Sequence, residues 1–102
     1  MDKNHAIVVI RKFSDSIQSF LNPSMVILFG SYAKGTQTEV SDIDVAVVVD
    51  KIEGDYLDTE AKLYHIRREI EDRIEPVLLE KDKDKSGFLE SIMKSGEVVY
   101  RR

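Results

Sequence analysis

Cysteine is absent from this sequence of 102 residues. That removes disulfides, thiolate zinc centres and cysteine nucleophiles together. Histidine is scarce: His5 and His65 stand too far apart in sequence to suggest an imidazole metal pair, and each reads as a surface or packing residue. No apolar run approaches the roughly 20 residues that a membrane-spanning helix needs. The opening stretch MDKNHAIVVIRKF closes a short apolar segment with charges and lacks a small-residue cleavage site. A signal peptide is therefore not expected, and a cytoplasmic location is. An excess of positive charge is missing too, with Lys and Arg at 15 against Asp and Glu at 19, a net −4. This argues against the basic face that extended nucleic-acid binding requires, while leaving room for one nucleotide held through a metal.

What remains is 42% hydrophobic and 33% charged, the balance of a soluble globular chain rather than a disordered one. The length predicts a single domain over residues 1–102, with one small core and no separate units for cofactor, acceptor and regulator. Ala6, Ile10, Phe13, Ile17 and Phe20 recur at steps of four and three and predict an amphipathic helix, stopped by Asn22-Pro23. Met25 to Phe29 is a short apolar run suited to a buried strand. Residues 32–41 form a polar connection with room for a helical turn at Tyr32 to Lys34, and Ile43 to Val49 is a second strand whose β-branched continuity predicts cover on both faces.

Residues 56–73 read as a second long helix, with Leu63, Ile66, Ile70 and Ile74 on one stripe. Ile74 to Leu79 is a third strand. Pro76 within it predicts an edge, a bulge or a strand end, because proline cannot donate to a ladder. EKDKDKS is a solvated charged loop. Phe88, Leu89, Ile92 and Met93 mark a last short helix stopped by Gly96, and Val98-Val99-Tyr100 is a candidate final strand. The expected class is α/β (α+β), a small mixed sheet of about three strands with helices packed on it.

One stretch raises a chemical question. Asp42 and Asp44 are two apart at the head of a strand, so both project to one face. Like charges about 4 Å apart cost roughly 4 kcal/mol at an effective dielectric of 20, so the pair stays wet, raises a pKa or binds a cation. Magnesium, which takes one or two carboxylates with phosphate oxygens and water, suits this arrangement. Gly30-Ser31 ends the preceding strand: the glycine lets backbone amides approach a ligand, and the serine adds a hydroxyl and an amide for phosphate oxygens. Glu75, at the head of the third strand, is the candidate third carboxylate, provided that strand pairs beside the second. Lys34 is near enough in sequence to touch a phosphate, but a solvated lysine is the plainer reading. Ser41 has no adjacent base, and Tyr56, Tyr64 and Tyr100 read as amphipathic packing residues.

Gly30-Ser31, ten residues, then Asp42-Ile43-Asp44 resembles the signature of the polymerase-β-like nucleotidyltransferases. The short chain resembles the minimal nucleotidyltransferases (MNT proteins) within that superfamily. VILFGSYAKG and SDIDVAVV match the motif strands, RIEPVLLE resembles the third-carboxylate strand, and FLESIMKSGEVVY the closing helix and tail. The resemblance implies that Asp42 and Asp44 bind two magnesium ions, that Glu75 joins the ion nearer the attacking hydroxyl, and that Gly30 and Ser31 hold the phosphates of ATP. It further implies an antitoxin paired with an HEPN-domain toxin, moving AMP onto a tyrosine of that partner. Three positions depart from the pattern: glutamate at 75 where aspartate is commoner, Pro76 after it, and Tyr32 where relatives often carry arginine. They keep open a second reading, a catalytically weak or inactive antitoxin that neutralises its partner by binding. Transfer to a small molecule is a third, though that class generally uses an added acceptor-binding domain. An apolar surplus on the helices suits either a homodimer or a partner interface.

Overall fold

Near-continuous burial along the apolar strands Met25–Phe29 and Ile43–Val49 marks the centre of the structure, while burial alternates along Ile74–Glu80. A computed structural model describes residues 1–84 and 86–102; Lys85, inside the charged run 80–86, lies outside the described residues. The elements are α1 (Lys3–Ile17), β1 (Met25–Phe29), α2 (Ser31–Lys34), β2 (Ile43–Val49), α3 (Tyr56–Ile70), β3 (Ile74–Glu80), a 3₁₀ turn (Lys81–Lys83), α4 (Phe88–Ser95) and β4 (Glu97–Arg101). The strands form one mixed sheet in the order β3-β2-β1-β4. β1 runs antiparallel to β2 and β4, whereas β2 and β3 are parallel. A parallel pair needs a long crossover, which α3 supplies.

Both faces of the sheet are covered, as the valine run of β2 anticipates. Val26, Leu28, Ile43, Val45, Val47 and Ile74 pack with Ala6, Ile10, Phe13 and Ile17 of α1 and Leu63 of α3. On the opposite face Met25, Ile27, Ala46 and Val48 meet Leu89 and Ile92 of α4. That helix has only 8 residues, so it covers part of its face. Asp44 and Glu75 share the parity of Ala46 and Val48 and fall on this partly covered side.

The mixed α/β expectation holds, and the sheet grows from about three strands to four because the candidate final strand extends to Glu97–Arg101 and pairs with β1. Two helix ends differ from the apolar periodicity, one through a local cap and one through a sheet contact. α1 starts at Lys3 because the Asp2 carboxylate caps it, accepting from the His5 amide at 2.8 Å. It ends at Ile17, and Phe20 packs onto the core from the turn that follows. α3 stops at Ile70 rather than residue 73, since Arg73 already accepts a sheet bond from the Ile43 amide at 2.8 Å. β3 is an edge strand, which resolves Pro76. The Arg67 guanidinium donates to the Ile74 carbonyl at 3.0 Å and the Tyr56 hydroxyl to the Leu78 carbonyl at 3.2 Å. Side chains of α3 thus cover the outer edge on both sides of the proline.

Gly96, read from sequence as a helix stop, is also a point of close backbone approach. A Cβ there would lie 2.5 Å from the Ile92 carbonyl oxygen and 2.7 Å from that of Leu28. Its φ of −93° is open to any residue, so space and not handedness demands glycine. Gly96→Ala is expected to destabilise the chain by about 1–3 kcal/mol, the usual overpacking penalty. Urea unfolding measures this, and an unchanged midpoint would contradict the crowding.

Candidate active site

The antiparallel pairing of β1 with β2 and the parallel pairing of β2 with β3 bring one end of β1 and two beginnings together. Phe29 sits opposite Asp44, and Asp44 opposite Glu75. The Gly30-Ser31 turn, which leaves β1 just after Phe29, therefore meets Asp44 on β2 and Glu75 on the neighbouring edge strand. The condition set for Glu75, that the third strand lie beside the second, is met. Asp42 stands just ahead of β2, exposed, while Asp44 and Glu75 are half-buried. Asp50 and Glu80 mark the other end of these strands and are engaged there by Arg102 and Lys83.

Gly30 has to be glycine twice over. Its φ of +73° is a conformation that side-chain-bearing residues avoid, and a Cβ built on it would lie 2.2 Å from Asp44 Oδ2. The backbone of the turn is thus pressed against the carboxylate. Ser31 opens α2, whose first amides have no partner within the helix. Among the described residues the Ser31 hydroxyl makes no hydrogen bond, and neither the Asp42 nor the Asp44 carboxylate accepts one or forms an ion pair, although the Asp44 backbone is paired in the sheet. Burial pushes the Asp44 carboxyl above the ordinary carboxylate range, and the charges of Asp42 and Glu75 push it the same way.

Glu75 has a partner that its sequence context did not disclose. The Tyr64 hydroxyl, from α3, donates to Glu75 Oε1 at 2.7 Å. That bond, helped by burial, raises the phenol to about 12. The Arg67 guanidinium stacks on the Tyr64 ring at 4.8 Å from its centroid. The sequence signal of Tyr64 is that of a packing residue; the α3–β3 arrangement turns it toward Glu75. Tyr32 is fully buried in the core, and its hydroxyl has no partner among the described residues. Lys34, His5 and His65 are exposed, and Ser41 accepts from the Thr38 amide at 2.8 Å, fixing the loop ahead of Asp42.

As they stand, no three acidic or imidazole side chains among the described residues gather closely enough to hold a metal ion by themselves. The donor set nonetheless fits magnesium, which is commonly completed by substrate phosphate oxygens and water around one or two carboxylates. Among the described residues no basic side chain forms an ion pair with Asp42 or Asp44, and the surroundings of Asp44 favour its protonated form, a bias that a divalent ion would reverse.

Because folding raises the Asp44 pKa, the folded chain holds that proton more tightly than the unfolded one. The resulting penalty is absent in acid and grows as pH rises through and above the ordinary carboxylate range. Asp44→Asn should therefore raise the melting temperature at pH 7 by a few degrees in metal-free buffer, with the gain vanishing near pH 3. Melting curves across that range check it, and a variant less stable than wild type at pH 7 would contradict the crowding of charge.

Residues 11–102 match the family model described as Polymerase beta, Nucleotidyltransferase. A candidate protein adenylyltransferase of Methanocaldococcus jannaschii is 42% identical over 48 residues, 45% of this chain and 48% of that protein, so the match spans about half the length of the curated relative. The fold resembles a candidate nucleotidyltransferase from Sulfolobus solfataricus, with TM-score 0.70, 20% identity and coverage of 98% of this chain and 84% of that one. It also resembles a chain of the complex between tri-AMPylated Shewanella oneidensis HEPN toxin and MNT antitoxin, with TM-score 0.63, 16% identity and coverage of 98% and 73%. Among the described residues no helix is long and apolar enough to cross a membrane. With the family model spanning most of its length, and the glycine turn and strand-borne carboxylates in one place, the chain belongs to the polymerase beta nucleotidyltransferase family.

Proposed function

We propose that the chain is a magnesium-dependent protein adenylyltransferase that moves AMP from ATP to a tyrosine hydroxyl of an HEPN-type toxin, and so acts as the antitoxin. The observation that carries this reading is the packing of the Asp44 carboxylate onto Gly30, with Glu75 in register beside it. A triphosphate held at the turn would have its reacting phosphorus next to the carboxylates. The match to a candidate protein adenylyltransferase and the likeness to a chain of an AMPylated HEPN–MNT complex support the acceptor class.

In this reading the Gly30 and Ser31 amides and the Ser31 hydroxyl hold β- and γ-phosphate oxygens. Asp42 and Asp44 would hold two magnesium ions, Glu75 adding an oxygen on the acceptor side; magnesium bound there neutralises triphosphate charge and favours in-line attack. Glu75 accepts the proton of the incoming phenol as its oxygen bonds the α-phosphorus. The bond from that phosphorus to the bridging oxygen breaks, and pyrophosphate leaves with the electron pair.

With the HEPN toxin, magnesium and ATP labelled at the α-phosphate, the wild-type chain is expected to label a toxin tyrosine. Asp44→Asn should lose on the order of 100-fold or more of that rate while remaining folded. Persistent labelling by Asp44→Asn would sink the assignment. Glu75 and Pro76, which depart from the commoner aspartate pattern, favour a second reading in which the chain neutralises its partner by occlusion. Rescue of toxin-expressing cells by an Asp42→Asn/Asp44→Asn chain would select it.

A further inference from the structure

Glutamate at position 75 brings one more rotatable bond than aspartate, and a proton acceptor that wanders loses rate steeply. The structure supplies a tether. Tyr64 donates to one oxygen of Glu75, Oε1, at 2.7 Å. Its ring is in turn covered by the Arg67 guanidinium. Arg67 is itself anchored, because its Nη1 donates to the carbonyls of Asp72 at 2.6 Å and Ile74 at 3.0 Å, the residues that lead into Glu75. Backbone, guanidinium, phenol and carboxylate form a closed ring of contacts around the start of β3. The carboxylate keeps Oε2 as its second oxygen, outside the bond to Tyr64.

We infer that Tyr64, steadied by Arg67, is the positioning residue for the third carboxylate: it fixes the extra torsion of Glu75 and leaves Oε2 to face the reacting hydroxyl. This rests on the proposed AMP transfer for its kinetic consequence, but not for the ordering itself. The contacts also explain why a residue on α3, across the strand edge from the glycine turn, is linked to the site. An aspartate at 75 would be one methylene short of the phenol and would have less freedom to restrain, so Tyr64 and the length of residue 75 should act as a pair.

Two readouts decide the matter. In the metal-free protein, the Glu75 γ-protons should give two distinct NMR resonances in wild type, as a restrained side chain does, and collapse toward one in Tyr64→Phe. In AMP transfer to the HEPN toxin, Tyr64→Phe should lower kcat about 10–100-fold with KM for ATP nearly unchanged, as loss of a hydrogen bond that orients a ligand does. In a Glu75→Asp chain the same substitution should cost less than about threefold, because the tether is already gone. A collapsed pair of resonances in wild type, or an unaltered pair in Tyr64→Phe, overturns the ordering whatever the activity. Ordering lost with kcat unchanged overturns the positioning role, as does an equal loss in both residue-75 backgrounds. A wild-type chain that transfers no AMP removes the proposed function, and the resonances alone then decide whether Tyr64 orders Glu75.

Discussion

The like charges of Asp42 and Glu75 bear on Asp44 at one end of the sheet, and strand register keeps Asp44 and Glu75 side by side in spite of that repulsion. Burial and both neighbouring charges push the Asp44 carboxyl above the ordinary range, so its charged form works against folding. The restraint is backbone register. Asp44 cannot retreat from Glu75 because the β2–β3 ladder continues from Ile43↔Ile74 to Val49↔Glu80. It cannot turn toward β1 either, because the Gly30 backbone already fills that side. The buried valines of β2 hold the ladder in place, so hydrophobic burial on both faces is what sustains the charge cluster at its tip.

Much of this was legible in one dimension. Two aspartates at a spacing of two beside a β-branched run suggest a shared face, although only Asp44 lies within β2, and a glycine-serine pair ending an apolar strand marks a turn. The parallel placement of β3 was a condition rather than a deduction, since nothing local to RIEPVLLE says which strand it joins. Pro76 at least restricted it to an edge or an irregularity. Helix ends were read less well: Asp2 as a cap lies outside the apolar periodicity, and the end of α3 is set by the sheet bond at Arg73, a tertiary contact. Gly96 has the sequence signal of a helix stop, whereas its crowding between two carbonyls arises from the approach of β1, which no local pattern encodes.

Tyr64 shows why the remainder was hidden. On the helix it neighbours Leu63, and its ring is half-buried, so its sequence signal is that of any amphipathic packing residue. The hydroxyl's partner is 11 residues away, across the turn from α3 into β3, and depends on which face of the edge strand Glu75 takes. No spacing rule connects a helical tyrosine to a strand glutamate at that distance. Arg67 is similarly opaque, since a surface arginine beside His65 and Arg68 gives no sign that its guanidinium belongs to the backbone of the next strand.

The departures at 75 and 76 then become parts of one arrangement. In a parallel pair, alternate residues of the edge strand turn their backbone groups outward, and the Ile74 and Leu78 carbonyls are on that outer side, bonded by Arg67 and Tyr56. Pro76 lies between them with the same parity, so its missing amide removes nothing from the β2–β3 ladder. The same row of α3 side chains that covers the proline edge also carries Tyr64 to the longer carboxylate. A glutamate followed by proline is thus compatible with an ordered third carboxylate because α3 lies along the edge that the proline leaves unpaired. What looked from sequence like two independent weakenings of the site is met by one helix face.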